Sequence, residues 1–140
     1  MKLDPELVEH VRRSEGLRLS AYQDTEGVWT IGYGTNLQTL QIDVETAERW
    51  LQERLDAALK QARGYSWFSA LSRPRQNVIV DMIYNLGASR FNGFRKMHAA
   101  LARNDFKDAA REMLDSKWAT QVKGRAVKLA RIMETGVWQA

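Results

Sequence analysis

The chain has 140 residues, of which 44% are hydrophobic and 27% are charged, and it contains no cysteine. This composition is typical of a globular domain with its own core. It argues against disorder and excludes disulfide bonds, thiolate nucleophiles and cysteine metal ligands. Residues 1–72 carry 8 Lys and Arg against 11 Asp and Glu, whereas residues 73–140 carry 13 against 6. The basic second half favours an anionic partner, although solvated helix faces are the commoner explanation of such charge.

The first predicted elements are a helix and a small β-sheet. Asp4 followed by Pro5 is typical of a helix start, and we expect this helix over residues 4–15. Over about residues 16–42 the apolar residues alternate, DTEG has turn chemistry, and VWTIGYG is rich in β-formers before its glycines. This stretch predicts either a small antiparallel hairpin or three short strands.

Asp43 is the expected N-cap of a long connecting helix over about residues 43–63, because apolar residues then recur every three or four positions. The same helical spacing continues through most of the remaining chain and predicts a helical lobe over about residues 64–140. The predicted fold class is therefore α+β. We expect one domain over residues 1–140, mostly helical and two-lobed, with a small N-terminal antiparallel β-sheet lobe.

Two carboxylates, Glu15 and Asp24, lie in the stretch EGLRLSAYQDTEGVWTIGYG. Glu15 is at the predicted C-terminal end of the first helix, whereas Asp24 is in a polar turn that favours an ionised carboxylate. Two carboxyl groups in contrasting environments are what the cleavage of a glycosidic bond requires. Thr30 could return across the hairpin and hold a water molecule against Asp24. Acids beside turns are also common without any function, so the spacing alone leaves ordinary surface acids as the alternative.

Eight residues separate Glu15 from Asp24, and five separate Asp24 from Thr30. This spacing resembles the catalytic signature of phage-type lysozymes, the endolysin muramidases of glycoside hydrolase family 24. YNLG at 84–87 and TGVW at 135–138 also resemble this family, so the resemblance covers essentially the whole chain. It implies a lysozyme-like fold and an enzyme that needs no cofactor. The implied reaction is hydrolysis of the β-1,4 bond between N-acetylmuramic acid and N-acetylglucosamine in bacterial peptidoglycan.

The resemblance also implies a role for individual residues. Glu15 would be the general acid, Asp24 the carboxylate on the opposite face of the sugar, and Thr30 a group that positions the attacking water. Inversion is implied, with carboxyl groups roughly 6.5–9.5 Å apart. Thr35 departs from the family, since many relatives have His there. The remaining matched positions are the substrate-contacting Gly34, Tyr84 and Asn85, and Arg125, which matches an Arg that pairs with the catalytic Glu.

The family resemblance further implies how the protein reaches its substrate. The N-terminal MKLDPELVEHVRRSEG has no apolar stretch long enough for a signal peptide or a membrane span. We therefore expect accumulation in the host cytoplasm and release to the periplasm through a separate pore-forming phage protein, which leads to lysis. Tail-associated lysozymes, which act from outside, share the fold. The other hypothesis is a non-catalytic module that binds peptidoglycan or an anionic surface.

The end of the chain combines tryptophans with basic residues. We expect Trp118 and Trp138 to fall on helical segments and to belong to the core. The commonest interpretation of the basic residues is a solvated surface. Electrostatic contact with the anionic cell envelope is the second interpretation, and a membrane-active helix is the third. No basic-aromatic motif accompanies them, so we expect no nucleic-acid partner. His10 and His98 lack ligand spacing and predict no metal site, and we expect a monomer. The basic residues are Lys117, Lys123, Arg125, Lys128 and Arg131.

Overall fold

The computed structural model of the chain describes residues 2–139. Within this range the chain divides into two compact units, a first unit that ends at Ala47 and a second unit that begins at Glu48. The first unit contains a three-stranded antiparallel sheet, and the second unit is helical. The predicted α+β fold class is therefore confirmed.

The first unit begins with a capped helix. Its elements are helix α1 (Pro5–Glu15) and strands β1 (Arg18–Gln23), β2 (Trp29–Gly32) and β3 (Thr35–Asn36). The Asp4 carboxylate accepts the backbone N–H of Glu6 at 2.9 Å, and proline occupies the first helical turn. Helix α1 therefore starts where the sequence predicts, because both residues satisfy or remove backbone donors that a helix start leaves unpaired.

The sheet of the first unit consists of two successive hairpins in the order β1-β2-β3. Tyr22 pairs with Thr30 between β1 and β2, and Ile31 pairs with Thr35 between β2 and β3. The register of the second hairpin leaves three residues, Gly-Tyr-Gly, to make its turn. Of the two predicted arrangements, the three-stranded one is correct.

The second unit is built from consecutive helices. Helix α2 starts within the first unit, where the Asp43 carboxylate accepts the backbone N–H of Thr46 at 2.8 Å and confirms Asp43 as the N-cap. The helices are α2 (Val44–Ala62), α3 (Arg73–Leu86), α4 (Ala88–Asn92), α5 (Arg95–Ala102), α6 (Phe106–Leu114), α7 (Lys117–Val122) and α8 (Gly124–Thr135).

The hydrophobic core of the second unit lies among helices α3 to α8, with the end of α2. Helix α6 packs against α5 and α8, and α8 also packs against α3. The apolar residues of α3 lie on one face of the helix, and this face is buried in the core. Its members are Val78, Ile79, Met82, Ile83 and Leu86.

Arg75, near the start of α3, ties this helix to the end of α8. Its guanidinium donates hydrogen bonds to the backbone carbonyls of Met133, at 2.7 Å, and Glu134, at 2.9 Å. The guanidinium carbon also lies 3.8 Å from the centroid of the Phe106 ring on α6. Burial lowers the pKa of Arg75 from its ordinary value. One side chain therefore joins three helices and satisfies helix-terminal carbonyls.

The two tryptophans near the end of the chain differ from each other. Trp118 on α7 is 2% exposed and belongs to the core, as predicted. Trp138 is 48% exposed and lies beyond the end of α8, so its prediction as a helical core residue is wrong. The reason is Gly136, which adopts a left-handed conformation with its N–H bonded to the Ile132 carbonyl and so ends the helix.

Candidate active site

Glu15, Asp24, Thr30 and Gly34 all belong to the first unit. Glu15 is the last residue of α1, and its side chain is exposed. The helix ends there because the N–H of Gly16 returns to the carbonyl of Arg12 at 3.1 Å and the chain then turns into β1. The carboxyl group is thus carried by the final turn of a regular helix, as the sequence predicts.

Asp24 organises the loop between β1 and β2 through its own carboxylate. Its Oδ1 atom accepts the backbone N–H groups of Glu26 and Val28, each at 2.9 Å. Its backbone N–H bonds to the Val28 carbonyl at 2.9 Å, and its carbonyl accepts from Gly27 at 3.0 Å. These bonds hold the side chain in one orientation and stabilise the turn by the local mechanism typical of aspartate.

Thr30 is the buried polar member of the site, with 5% exposure. Its hydroxyl donates a hydrogen bond to the Val28 carbonyl at 2.9 Å. The same Val28 also donates its N–H to Asp24, so one backbone residue joins the acid and the hydroxyl. Because a hydroxyl has a single proton, Thr30 is left with lone pairs that can only accept a further hydrogen bond.

The turn between β2 and β3 contacts the last turn of α1 at two points. The backbone of Gly34 lies so close to Glu15 that a Cβ atom there would be 2.9 Å from the Oε2 atom. The guanidinium carbon of Arg12 lies 5.9 Å from the centroid of the Tyr33 ring. A hydrogen bond with Glu9, at 2.6 Å, raises the pKa of Arg12 and keeps this side chain charged. The structure thus brings Gly34 and Glu15 together.

Tyr84 and Asn85 belong to the second unit and lie at the end of α3. The Asn85 Oδ1 atom accepts the indole N–H of the buried Trp118 at 2.8 Å. The guanidinium carbon of Arg54, on α2, lies 4.7 Å from the centroid of the Tyr84 ring. These contacts fix both side chains within the second unit, and their predicted contacts with glycan stay predictions.

Arg125, at the start of α8, forms an ion pair with Asp81 in the middle of α3. Its Nε and Nη2 atoms donate to the same Oδ1 atom at 3.0 and 2.5 Å. Both side chains are partly exposed, at 42% and 29%. The partner that the structure provides is therefore Asp81, and the pairing of Arg125 with Glu15 that the family resemblance implies stays a prediction.

Sequence reasoning missed three residues that support these side chains. Val28 acts through its backbone, which has no sequence signal beyond its place in the hairpin. Asp81 lies 44 positions from Arg125, and Trp118 lies 33 positions from Asn85, so only tertiary packing joins each pair.

The basic residues near the end of the chain are on α7 and α8 and between them. Among these five basic residues, Lys128 is half-buried and its ammonium lies 5.9 Å from the Trp138 ring centroid. The other four are exposed. Of the helices within residues 2–139, none is both long and apolar enough to cross a membrane.

Comparison with known proteins identifies relatives along most of the chain. A model of the phage lysozyme family matches residues 12–132. An endolysin of Acyrthosiphon pisum secondary endosymbiont phage 1 is 30% identical over 89% of this chain and 85% of its own length. A probable T4-type lysozyme 2 of Dictyostelium discoideum is 23% identical over 93% of this chain and 94% of its own length. The pre-baseplate central spike protein Gp5 of Enterobacteria phage T4 is 28% identical over 93% of this chain, which spans only 28% of that protein.

Proposed function

We propose that this chain, which belongs to the phage lysozyme family, is an N-acetylmuramidase that hydrolyses the β-1,4 bond between N-acetylmuramic acid and N-acetylglucosamine in peptidoglycan. The observation that carries the proposal is the arrangement of Glu15, Asp24 and Thr30, which lie within the family match and belong to one structural unit. Two carboxyl groups and a water-positioning hydroxyl supply all the groups that glycoside hydrolysis needs without a cofactor.

Glu15 acts as the general acid in this proposal. Its carboxyl group donates a proton to the glycosidic oxygen as the bond to the departing sugar breaks. Asp24 lies on the opposite face of the sugar ring and serves as a base for water or stabilises the positive charge that develops on the ring. Because its Oδ1 atom already accepts two backbone N–H groups, the Oδ2 atom is the one that faces the reaction.

Thr30 orients the attacking water through a directional hydrogen bond. The Thr30 hydroxyl donates its own proton to the Val28 carbonyl, so a water molecule that binds Thr30 must donate a proton to the hydroxyl oxygen. A water that donates one proton to Thr30 and the other to Asp24 keeps a lone pair free to attack the anomeric carbon. This geometry belongs to an inverting reaction, for which the two carboxyl groups lie roughly 6.5–9.5 Å apart. Inversion of a β-linked substrate gives the α-anomer first, which NMR of the fresh products detects.

Residues of the second unit extend the proposal to substrate binding. We propose that Tyr84 and Asn85 contact the glycan, since the aromatic ring offers an apolar face and the amide offers donors. The exposed basic residues on α7 and α8 raise the encounter rate with the anionic cell envelope. The protein acts as a monomer under this proposal.

The similarity to an endolysin supports a role in host-cell lysis after release through a separate pore-forming protein. The similarity to part of a central spike protein instead favours action from outside during infection. Both roles use the same hydrolysis. Expression of this chain alone in intact cells tests the endolysin role, because appearance of the protein in the periplasm without a pore-forming protein would contradict it.

The test of hydrolysis uses purified protein and isolated Gram-negative peptidoglycan. We expect the turbidity to fall and mass spectrometry to detect new reducing ends on muramic acid. Glu15→Gln should lower the rate roughly 10²–10⁴-fold, the usual contribution of a general acid. Glu26→Gln removes another exposed carboxylate of the same unit and should change the rate less than about twofold, since the backbone donor to Asp24 remains.

Other outcomes would contradict the proposed activity or the role of Glu15 in it. Salt-sensitive sedimentation with peptidoglycan, without any reducing ends, would identify the non-catalytic binding module. Anhydro-muramic ends would identify a lytic transglycosylase. Equal rates for the wild type and Glu15→Gln would remove Glu15 from the mechanism.

A further inference from the structure

We propose that Gly34 is a positioning residue for the catalytic acid: its missing side chain creates the space in which the Glu15 carboxyl group is held. The inference deepens the proposed function and rests on it, since it concerns how the acid is oriented for proton transfer. The family resemblance implies that Gly34 contacts the substrate directly. The role that we infer is different, since Gly34 acts through Glu15.

The geometry at Gly34 is specific to one neighbouring side chain. A Cβ atom built on Gly34 would lie 2.9 Å from Oε2, 3.4 Å from Cδ and 3.8 Å from Cγ, and all three atoms belong to Glu15. The carboxyl oxygen would have to retreat by about 0.5 Å to reach an ordinary contact of 3.4 Å. Because Glu15 is exposed and flexible, the fold can tolerate this retreat, but the acid would leave its position.

Gly32, at the other side of Tyr33, supplies a natural comparison within the same turn. Both glycines have positive φ, +69° at Gly32 and +85° at Gly34, so alanine strains the backbone at either position. At Gly32, however, the added Cβ atom would meet nothing within 4 Å. The two substitutions therefore share backbone strain and differ in their effect on Glu15.

The position of Tyr33 reinforces this interpretation. The contact between its ring and Arg12 joins the turn to α1 one helical turn before Glu15. The backbone at Gly34 is consequently held against the end of the helix, so an added methyl group moves the flexible carboxyl group before it moves the turn. Proton transfer depends steeply on such placement, and a displacement near 1 Å can lower a rate about 10²-fold.

The experiment compares Gly34→Ala with Gly32→Ala on soluble, fluorescently labelled peptidoglycan fragments. We expect similar falls in Tm, because the strain is shared. We expect kcat to fall roughly 10–100-fold for Gly34→Ala with KM changed less than about twofold, and kcat of Gly32→Ala to stay within about threefold of wild type. A rise in KM without a loss of kcat would instead mean that Gly34 contacts substrate. Equal losses of kcat for both variants would mean that backbone strain is the whole effect.

A measurement without substrate separates this inference from the proposed function. In protein labelled with ¹³C at glutamate carboxyl carbons, the Glu15 signal is identified by its loss in Glu15→Gln. We expect this signal to shift in Gly34→Ala and to stay in place in Gly32→Ala. An unchanged signal in Gly34→Ala overturns the inference even if the wild type is an active muramidase. A shifted signal in a protein without hydrolytic activity would leave the contact correct and the proposed function wrong.

If Gly34→Ala does not fold, Gly34→Asn and Gly32→Asn replace the alanine pair. Asparagine tolerates positive φ better than other side chains and still introduces a Cβ atom. The same differences in kcat and in the carboxyl signal are expected. Gly34→Asn with the kcat and carboxyl signal of wild type would overturn the inference.

Discussion

Truncation of Arg75 to alanine should destabilise the second unit, because this side chain joins α3 to α8 and α6. The substitution removes two hydrogen bonds to the carbonyls of Met133 and Glu134 and a cation–π contact with Phe106. It also leaves the end of α8 without the positive charge that complements helix-terminal carbonyls. The effect should therefore appear as a loss of folding stability.

The magnitude follows from the contacts. Hydrogen bonds to a charged group contribute about 1.5–3 kcal/mol each, and a cation–π contact contributes about 0.5–2 kcal/mol. Because the Arg75 side chain is only half-buried, the lower limits apply, and the total is about 3.5 kcal/mol. At roughly 3 °C per kcal/mol for a chain of this size, Tm should fall by roughly 10 °C.

Thermal unfolding followed by circular dichroism measures this shift. Arg75→Lys keeps a charge, but a single ammonium cannot bridge both carbonyls with planar geometry, so about half of the loss should remain. Arg73→Ala is the matched control, since Arg73 is exposed in the same first turn of α3, and its Tm should stay within about 2 °C of wild type. If Arg75→Ala also melts within about 2 °C of wild type, the contacts of Arg75 do not hold α3 to α8, and this reasoning is refuted.

Three further outcomes are expected. Thr30→Val should lower the rate of peptidoglycan hydrolysis roughly 10²-fold while Thr30→Ser stays within about tenfold, because only serine keeps the water acceptor; equal rates would contradict this role. Hydrogen bonds with Thr46 lower the pKa of Asp43 from its ordinary value, so its stabilising effect is present above the ordinary pKa of aspartate and is lost as pH falls through the lower folded-state pKa. The difference in Tm between wild type and Asp43→Ala should accordingly be present at about pH 7 and close in melts at acid pH below the folded-state pKa, and a difference that persists there would contradict it. Asp81→Asn, which breaks the partly exposed pair with Arg125, should change the free energy of unfolding by less than about 1 kcal/mol in chemical denaturation, and a larger loss would mean that the pair belongs to a buried network.

Local chemistry explains why the main elements could be predicted. Asp4 and Asp43 cap helices with their own side chains, and the apolar residues of α3 recur on one face that is buried as a whole. The loop after β1 follows from Asp24, whose carboxylate bonds to backbone donors within four residues. Each of these features depends on neighbours a few positions away, which a sequence pattern can represent.

The prediction for Trp138 was wrong for a related reason. Gly136 adopts a left-handed conformation and ends α8, so Trp138 lies beyond the last helical residue and is 48% exposed. A glycine near a helix end is a frequent stop signal but does not specify which residues beyond it are buried. Burial at the end of a chain depends on the partners that packing supplies.

The sequence by itself determined the α+β class, the helix and turn that carry Glu15 and Asp24, and, through spacing and resemblance, the identity of the proposed catalytic groups. Tertiary structure alone decided which residues of separate segments meet: the backbone of Gly34 lies against the Glu15 carboxyl group, and Arg125 pairs with Asp81. The physical reason is the range of the interactions. Capping and periodicity act between residues close in the chain, whereas contacts such as that of Arg75 with Met133, 58 positions away, exist only after the helices have packed.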